Sequence, residues 1–120
     1  MSQSKATGLK RIINAGGYSI EGLVDALKTE AAFRQETALA AIMIPSSFFI
    51  QASAAEHCLL IASVLFVLLM ELINTAIETL VERISPEIHP LSKRAKDIGS
   101  AAVFLSLINV AVVWGLIIFW

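Results

Sequence analysis

An all-α membrane protein, with three transmembrane helices behind an N-terminal amphipathic surface helix, is the fold class this sequence predicts. Three observations predict it. Of the 120 residues 57% are hydrophobic, where soluble domains hold about 45–50%, and the mean hydropathy is +0.76. A soluble chain this small has too little interior to bury that surface. The apolar residues gather into long runs, and the longest of them reach the length that crosses a bilayer as a helix. All nine Lys and Arg fall into two groups, with two apolar segments between them.

The length allows one domain, and no repeat or low-complexity tract divides it. A net charge of −1 points to no nucleic-acid partner. The single cysteine, Cys58, sits in an apolar run. It forms no intrachain disulfide and reads as a small core or lipid-facing residue. The first forty residues are too polar for a cleavable signal peptide.

The surface segment covers about 5–34. Ile20, Val24, Leu27 and Ala31 recur at helical spacing while Glu21, Asp25 and Lys28 fall elsewhere. Gly16-Gly17 is expected to interrupt the pattern between an earlier piece near residues 9–13 and this one. Such a helix suits the cytoplasmic face of a membrane. The first span, about 36–54, is the weakest, being short and holding Pro45, Ser46, Ser47 and Gln51. The charges argue for it. Lys5, Lys10, Arg11, Lys28 and Arg34 precede it, and Arg83, Lys93, Arg94 and Lys96 follow the second span. Cationic loops stay in the cytoplasm, and two groups on one side require an even number of crossings between them. The second span, about 57–83, is nearly continuous in hydrocarbon over 58–70 and runs on to a stop at Ser85-Pro86. A cytoplasmic loop, 84–97, leads to the third span, about 98–120, where Trp120 suits an interfacial anchor on the periplasmic side.

The chemistry lies on the second span. Glu71 follows thirteen residues of mostly hydrocarbon. A charge near the centre of a span costs roughly 2.5–3.5 kcal/mol on insertion scales. Glu71 lies nearer the cytoplasmic end, where the cost is smaller but still calls for a reason. Glu78 follows seven residues later, within about 20° of the same direction, with Asn74 about 60° away. The three form a polar stripe. Seven residues rise about 10 Å, whereas metal–carboxylate bonds are about 2.0–2.6 Å. The two glutamates of one helix therefore cannot readily hold one ion together. Glu71, the deeper, suits a general base, and Glu78 a magnesium ligand shared with another carboxylate. Asn74 by itself reads as helix-to-helix support. The loop cations suit phosphates or topology, with Lys93 on the topology side, and His89 between turn formers reads as structural. No P-loop and no protein-kinase signature is present.

The run Glu71-Leu72-Ile73-Asn74-Thr75-Ala76-Ile77-Glu78 resembles the signature of the prokaryotic diacylglycerol kinase family of small trimeric membrane enzymes. Three further stretches agree in order and spacing. They are Arg11-Ile12-Ile13 leading to Gly17-Tyr18-Ser19, then Glu30-Ala31-Ala32-Phe33-Arg34-Gln35-Glu36, then Arg94-Ala95-Lys96-Asp97 with Gly99-Ser100-Ala101-Ala102. The resemblance implies ATP- and magnesium-dependent phosphorylation of diacylglycerol to phosphatidic acid at the cytoplasmic face of the bacterial inner membrane, by a homotrimer whose sites are shared between subunits. It implies Glu71 as base and Glu30 with Glu78 as metal ligands. It implies that Arg11, Tyr18, Glu30, Glu78, Lys96 and Asp97 lie at the nucleotide, with Glu87, Ile88 and His89 bordering them. Near the lipid it places Arg11 and the run Ala15, Gly16, Gly17, Tyr18, Ser19 and Ile20, then Val24, Asp25, Ala26 and Leu27. It adds Ala32, Phe33, Arg34, Gln35 and Glu36, with His57 and Ser100. Glu82 stands where the signature continues with Asp, Ile20 replaces an aromatic, and Pro90 stiffens the second cytoplasmic loop.

Three other readings compete. Relatives in the same family phosphorylate undecaprenol, but the segment Glu30 to Glu36 lacks the additional charges of that branch. A small proton-coupled transporter subunit would also use a membrane glutamate, and it would consume no ATP. A purely structural helix bundle would tolerate loss of the Glu71 charge.

Overall fold

In the computed structural model, residues 7–84 and 89–120 are described. Lys5, the Ser85-Pro86 stop and the candidate residues Glu87 and Ile88 lie outside them. The described residues form four helices, α1 (Gly8–Thr29), α2 (Ala31–Ser47), α3 (Ala54–Ile84) and α4 (Pro90–Phe119).

Helix α1 runs through Gly16-Gly17 without the expected interruption. Each glycine costs about 1 kcal/mol relative to alanine, but the apolar stripe Leu9, Ile13, Ile20, Val24 and Leu27 stays in helical register across them. The break comes instead at Glu30, which is extended at φ −112 and ψ 108. Arg34 secures this corner. Its Nη1 donates to the carbonyls of Leu27 at 2.9 Å and Lys28 at 3.0 Å, supplying donors and positive charge to the open C-terminus of α1. Ala26 and Phe33 are buried inside the same corner.

Helix α2 ends in a tightened turn after Pro45, where the N–H groups of Phe48, Phe49 and Ile50 bond three residues back. Helix α3 opens on a capping box. The Ser53 N–H donates to Glu56 Oε1 at 2.9 Å, and the Glu56 N–H donates to Ser53 Oγ at 3.2 Å. His57 turns back to place Nε2 3.1 Å from the Ile50 carbonyl, and its ring stacks on Phe48. Helix α4 starts at Pro90, so residues 90–97, read from sequence as loop, are its first turns. His89 caps it by accepting the Leu91 N–H at Nδ1, 3.1 Å away, and Pro90 occupies the first turn, where no N–H is needed. A Lys93–Asp97 pair one turn apart supports it further.

Helices α3 and α4, with 31 and 30 residues, are long and apolar enough to cross a bilayer. Helix α2, with 17 residues, spans about 26 Å. The helices meet along seams of period seven. Leu60, Val64, Val67 and Glu71 are buried on α3, Phe33, Ala40 and Ser47 on α2, and Gly99 and Ser106 on α4. Small residues at the seam let backbones approach where lipid offers no hydrophobic drive between helices. Ser47, Ser63 and Ser106 each bond a carbonyl of their own helix, so these three hydroxyls are met. Trp114 ties α4 to α3 by donating Nε1–H to the Leu60 carbonyl at 3.1 Å.

Because Ser106 is fully buried, Ser106→Leu should overpack the seam and destabilise the fold by about 1–3 kcal/mol, while Ser106→Ala should be nearly neutral. Thermal unfolding in detergent micelles reads both. Equal midpoints for the two variants would mean that α4 does not need a small residue there.

Candidate functional site

The seam of α3 is apolar at Leu60, Val64 and Val67 and continues in the same register as Glu71, Asn74 and Glu78. The acidic stripe expected from sequence is therefore the far half of a packing seam. Glu71 is 7% exposed. Asn74 donates Nδ2–H to Glu78 Oε1 at 3.2 Å, which fixes Glu78 one turn beyond. Across from this stripe α4 presents Gly99. A Cβ at Gly99 would collide with Asn74 Oδ1, so the glycine is what allows the amide to sit between the helices.

Two acidic groups from α2 and its entrance face the stripe. Glu30, at the α1–α2 corner, lies near enough to act electrostatically on Glu78, as do Lys96 and Glu82. Lys96 Nζ is 3.9 Å from Glu82 Oε1. Glu36 lies beside the seam of α2, near enough to Glu71 for the two carboxylates to act on one another electrostatically. Among the described residues, the buried side-chain polar atoms without a partner are Glu36 Oε2, Thr37 Oγ1, Asn74 Oδ1 and Thr75 Oγ1. All four sit on the turns of α2 and α3 adjoining Glu71. Buried polar groups are normally paired, and these four are not paired within the described residues. Among the described residues no three metal-binding side chains converge.

The other expected residues divide. Asp97 is held by Lys93 at 2.6 Å on the exposed side of α4. His89 caps α4. Arg11, Ala15, Gly16, Gly17, Ser19, Ile20, Val24 and Asp25 are exposed along α1, with Tyr18 and Leu27 half-buried. An open cleft of about 610 Å³ lies between α1 and α3, lined among others by Ser19, Gly22, Asp25, Thr75 and Thr79. Ala32, Gln35 and Ser100 are exposed and free for contact, whereas Ala26 and Phe33 are buried within the chain and Arg34 bonds the end of α1. Two expectations are not gathered to the site within one chain. Arg11 lies nineteen residues, about 28 Å, along α1 from Glu30. His57 lies fourteen residues, about 21 Å, along α3 from Glu71. Sequence reasoning missed the Gly99–Asn74 approach and the facing of Glu36 toward Glu71. The seven-residue spacing Phe33, Ala40, Ser47, which puts Glu36 beside the seam, was the signal for the second.

Comparison with known proteins follows the same residues. The sequence profile of the family described as Prokaryotic diacylglycerol kinase matches residues 17–118. Among similar proteins, the diacylglycerol kinase of Haemophilus influenzae is 52% identical over 97% of this chain and 98% of its own length. That of Pseudomonas aeruginosa is 51% identical over 93% of this chain and 91% of its own. That of Escherichia coli K12 is 44% identical over 92% and 91%.

The contact between Gly99 and Asn74 gives a test. Gly99→Ala should destabilise the helix pair by about 1–3 kcal/mol, and Asn74→Ala, which removes the opposing amide, should recover part of that loss in the double variant. Thermal unfolding of the four proteins measures it. Additive losses would show that the two residues do not touch.

Proposed function

The chain belongs to the prokaryotic diacylglycerol kinase family and is a lipid kinase; from that premise we propose that it phosphorylates diacylglycerol with ATP, using Glu71 as the general base. The observation that carries this reading is a carboxylate buried in an apolar helix at the mouth of a polar cluster whose own bonds are incomplete. The acceptor is a primary hydroxyl at the membrane surface. Its oxygen forms a bond to the γ-phosphorus, the bond from that phosphorus to the β–γ bridging oxygen breaks, and ADP leaves. The hydroxyl proton passes to a Glu71 carboxylate oxygen. Phosphoryl transfer asks the protein mainly for positioning and charge stabilisation, and Lys96 supplies positive charge beside the acidic stripe.

Glu30 and Glu78 are the residues to hold magnesium. Magnesium takes oxygen ligands and is commonly bound by one or two carboxylates together with substrate phosphates, and two carboxylates that repel one another suit a divalent cation. The ion, when bound, neutralises phosphate oxygens. Asn74 steadies the Glu78 carboxylate through its amide.

Three features support a homotrimer with shared sites and three crossings. Arg11 is too far from Glu30 along one chain to serve the same nucleotide. Asn109 is exposed on α4 amid apolar residues, and an outward amide at that depth favours a neighbouring helix. The basic residues precede α2 and follow α3, a pattern that favours the N-terminus and the α3–α4 connection in the cytoplasm, α2 across the bacterial inner membrane, and the C-terminus in the periplasm.

Glu71→Gln should lower turnover by about 10²–10⁴-fold while largely sparing nucleotide binding, whereas Glu78→Gln should weaken magnesium-dependent nucleotide binding as well. The assay is transfer of label from ATP to lipid in mixed micelles with magnesium, with diacylglycerol and undecaprenol as separate acceptors. No labelled lipid with either alcohol would defeat the kinase reading, and preference for undecaprenol would reassign the substrate. For topology, a cysteine at Gln51 in a Cys58→Ser background should react with an impermeant thiol reagent added outside the inner membrane, and one at Lys10 should not. The reverse pattern would invert the orientation.

A further inference from the structure

The bend at Glu30 has no local cause in the sequence. Residues 25–34 contain neither glycine nor proline, and Leu27, Lys28, Glu30, Ala31 and Ala32 are among the stronger helix formers. In an unbroken helix the N–H groups of Ala31 and Ala32 would bond the carbonyls of Leu27 and Lys28. Arg34 stands in for both. Its Nη1 donates to the Leu27 carbonyl at 2.9 Å and to the Lys28 carbonyl at 3.0 Å. A cation in the opening turns of α2 opposes that helix's own dipole but suits the C-terminus of α1. The peptide groups of Glu30 are held as well. Its N–H donates to the Ala26 carbonyl at 2.9 Å, and its carbonyl accepts the Arg34 N–H at 3.1 Å. Its side chain takes no part, for Glu30 is the N-cap of α2 and makes no capping bond.

We infer that Arg34 is a positioning residue. Its guanidinium replaces two helix bonds, keeps α1 and α2 from merging into one helix, and so holds Glu30 where its carboxylate binds magnesium. The role rests on Glu30 being a magnesium ligand. It differs from the lipid contact that the resemblance implies for Arg34, because both bonds run to backbone carbonyls of α1. Without the guanidinium, the two carbonyls are met by water or by Glu30 turning helical. The second course moves the Glu30 side chain with its backbone.

Arg34→Met removes the donors and keeps an unbranched stem of good helix propensity. Arg34→Lys keeps the charge but not the planar fork. The experiment is thermal unfolding in micelles, without ligand and with magnesium plus a non-hydrolysable ATP analogue. Beside it runs the labelled-ATP assay over magnesium and diacylglycerol concentrations. A ligand that binds the folded protein raises its midpoint according to its concentration relative to Kd. Arg34→Met should lose most of the rise that magnesium and the analogue give together, and should need roughly 10–100-fold more magnesium for half-maximal turnover. Arg34→Lys should fall between it and the parent, and the KM for diacylglycerol should be unchanged in both. A lower midpoint without ligand, with the ligand-induced rise intact, would make Arg34 merely structural and overturn the inference. A raised KM for diacylglycerol with an unchanged magnesium requirement would assign Arg34 to the lipid and overturn it too. Parent behaviour in every measurement also overturns it. If Arg34→Met does not fold, Arg34→Lys decides alone. Glu30→Gln with the full magnesium-dependent rise would overturn the metal reading on which the role rests. Loss of that rise in Glu30→Gln, with none in Arg34→Met, overturns the role of Arg34 alone.

Discussion

A carboxylate buried between helices has to be satisfied by the helices themselves, and this requirement shapes the site-bearing half of the protein. Glu71 lies in the seam where hydrocarbon sits at Leu60, Val64 and Val67. Helix α2 answers it with Glu36, α3 continues it with Asn74 and Glu78, and α4 leaves room with Gly99. One repeat of seven thus serves two purposes along one helix. Its first half is hydrocarbon, and its second half carries the carboxylates.

The packed half positions the other. Trp114 bonds the Leu60 carbonyl, and buried Ser106 lets α4 run close along α3. That close course brings Gly99 to Asn74 and carries Lys96, one turn earlier, beside Glu82 and Glu78. On the other side, a break of a single residue at Glu30 turns the chain from α1 into α2, and Arg34 locks the turn. That turn sets Glu30 on the side of α2 from which it acts electrostatically on Glu78.

Much of this was legible in sequence. The acidic stripe followed from the spacing of Glu71, Asn74 and Glu78, and the long apolar helices from residues 58–70 and 98–120. Local conflicts were harder to weigh. Gly16-Gly17 reads as a break by propensity, yet the apolar face continues across it and keeps one helix. Residues 90–97 read as loop because they are polar, but His89 and Pro90 supply a helix start. What the sequence hid were relations between helices. The spacing of Phe33, Ala40 and Ser47 puts Glu36 beside a seam, but does not tell which residue of α3 it meets there. Nothing around Gly99 shows that its missing side chain is the space of an amide on another helix.

The division of exposure sharpens how the site relates to its surroundings. Ala26, Phe33 and Arg34, each expected near lipid, are used within the α1–α2 corner, while the exposed residues of α1 line an open cleft against α3 at Ser19, Gly22 and Asp25. On the proposed reading a lipid approaching along that cleft meets a mixed lining, apolar at Leu23, Leu72 and Leu80 and polar at Ser19, Asp25, Thr75 and Thr79. The proposed acceptor can keep its hydrocarbon against apolar surface, because the outward faces of the helices are also apolar.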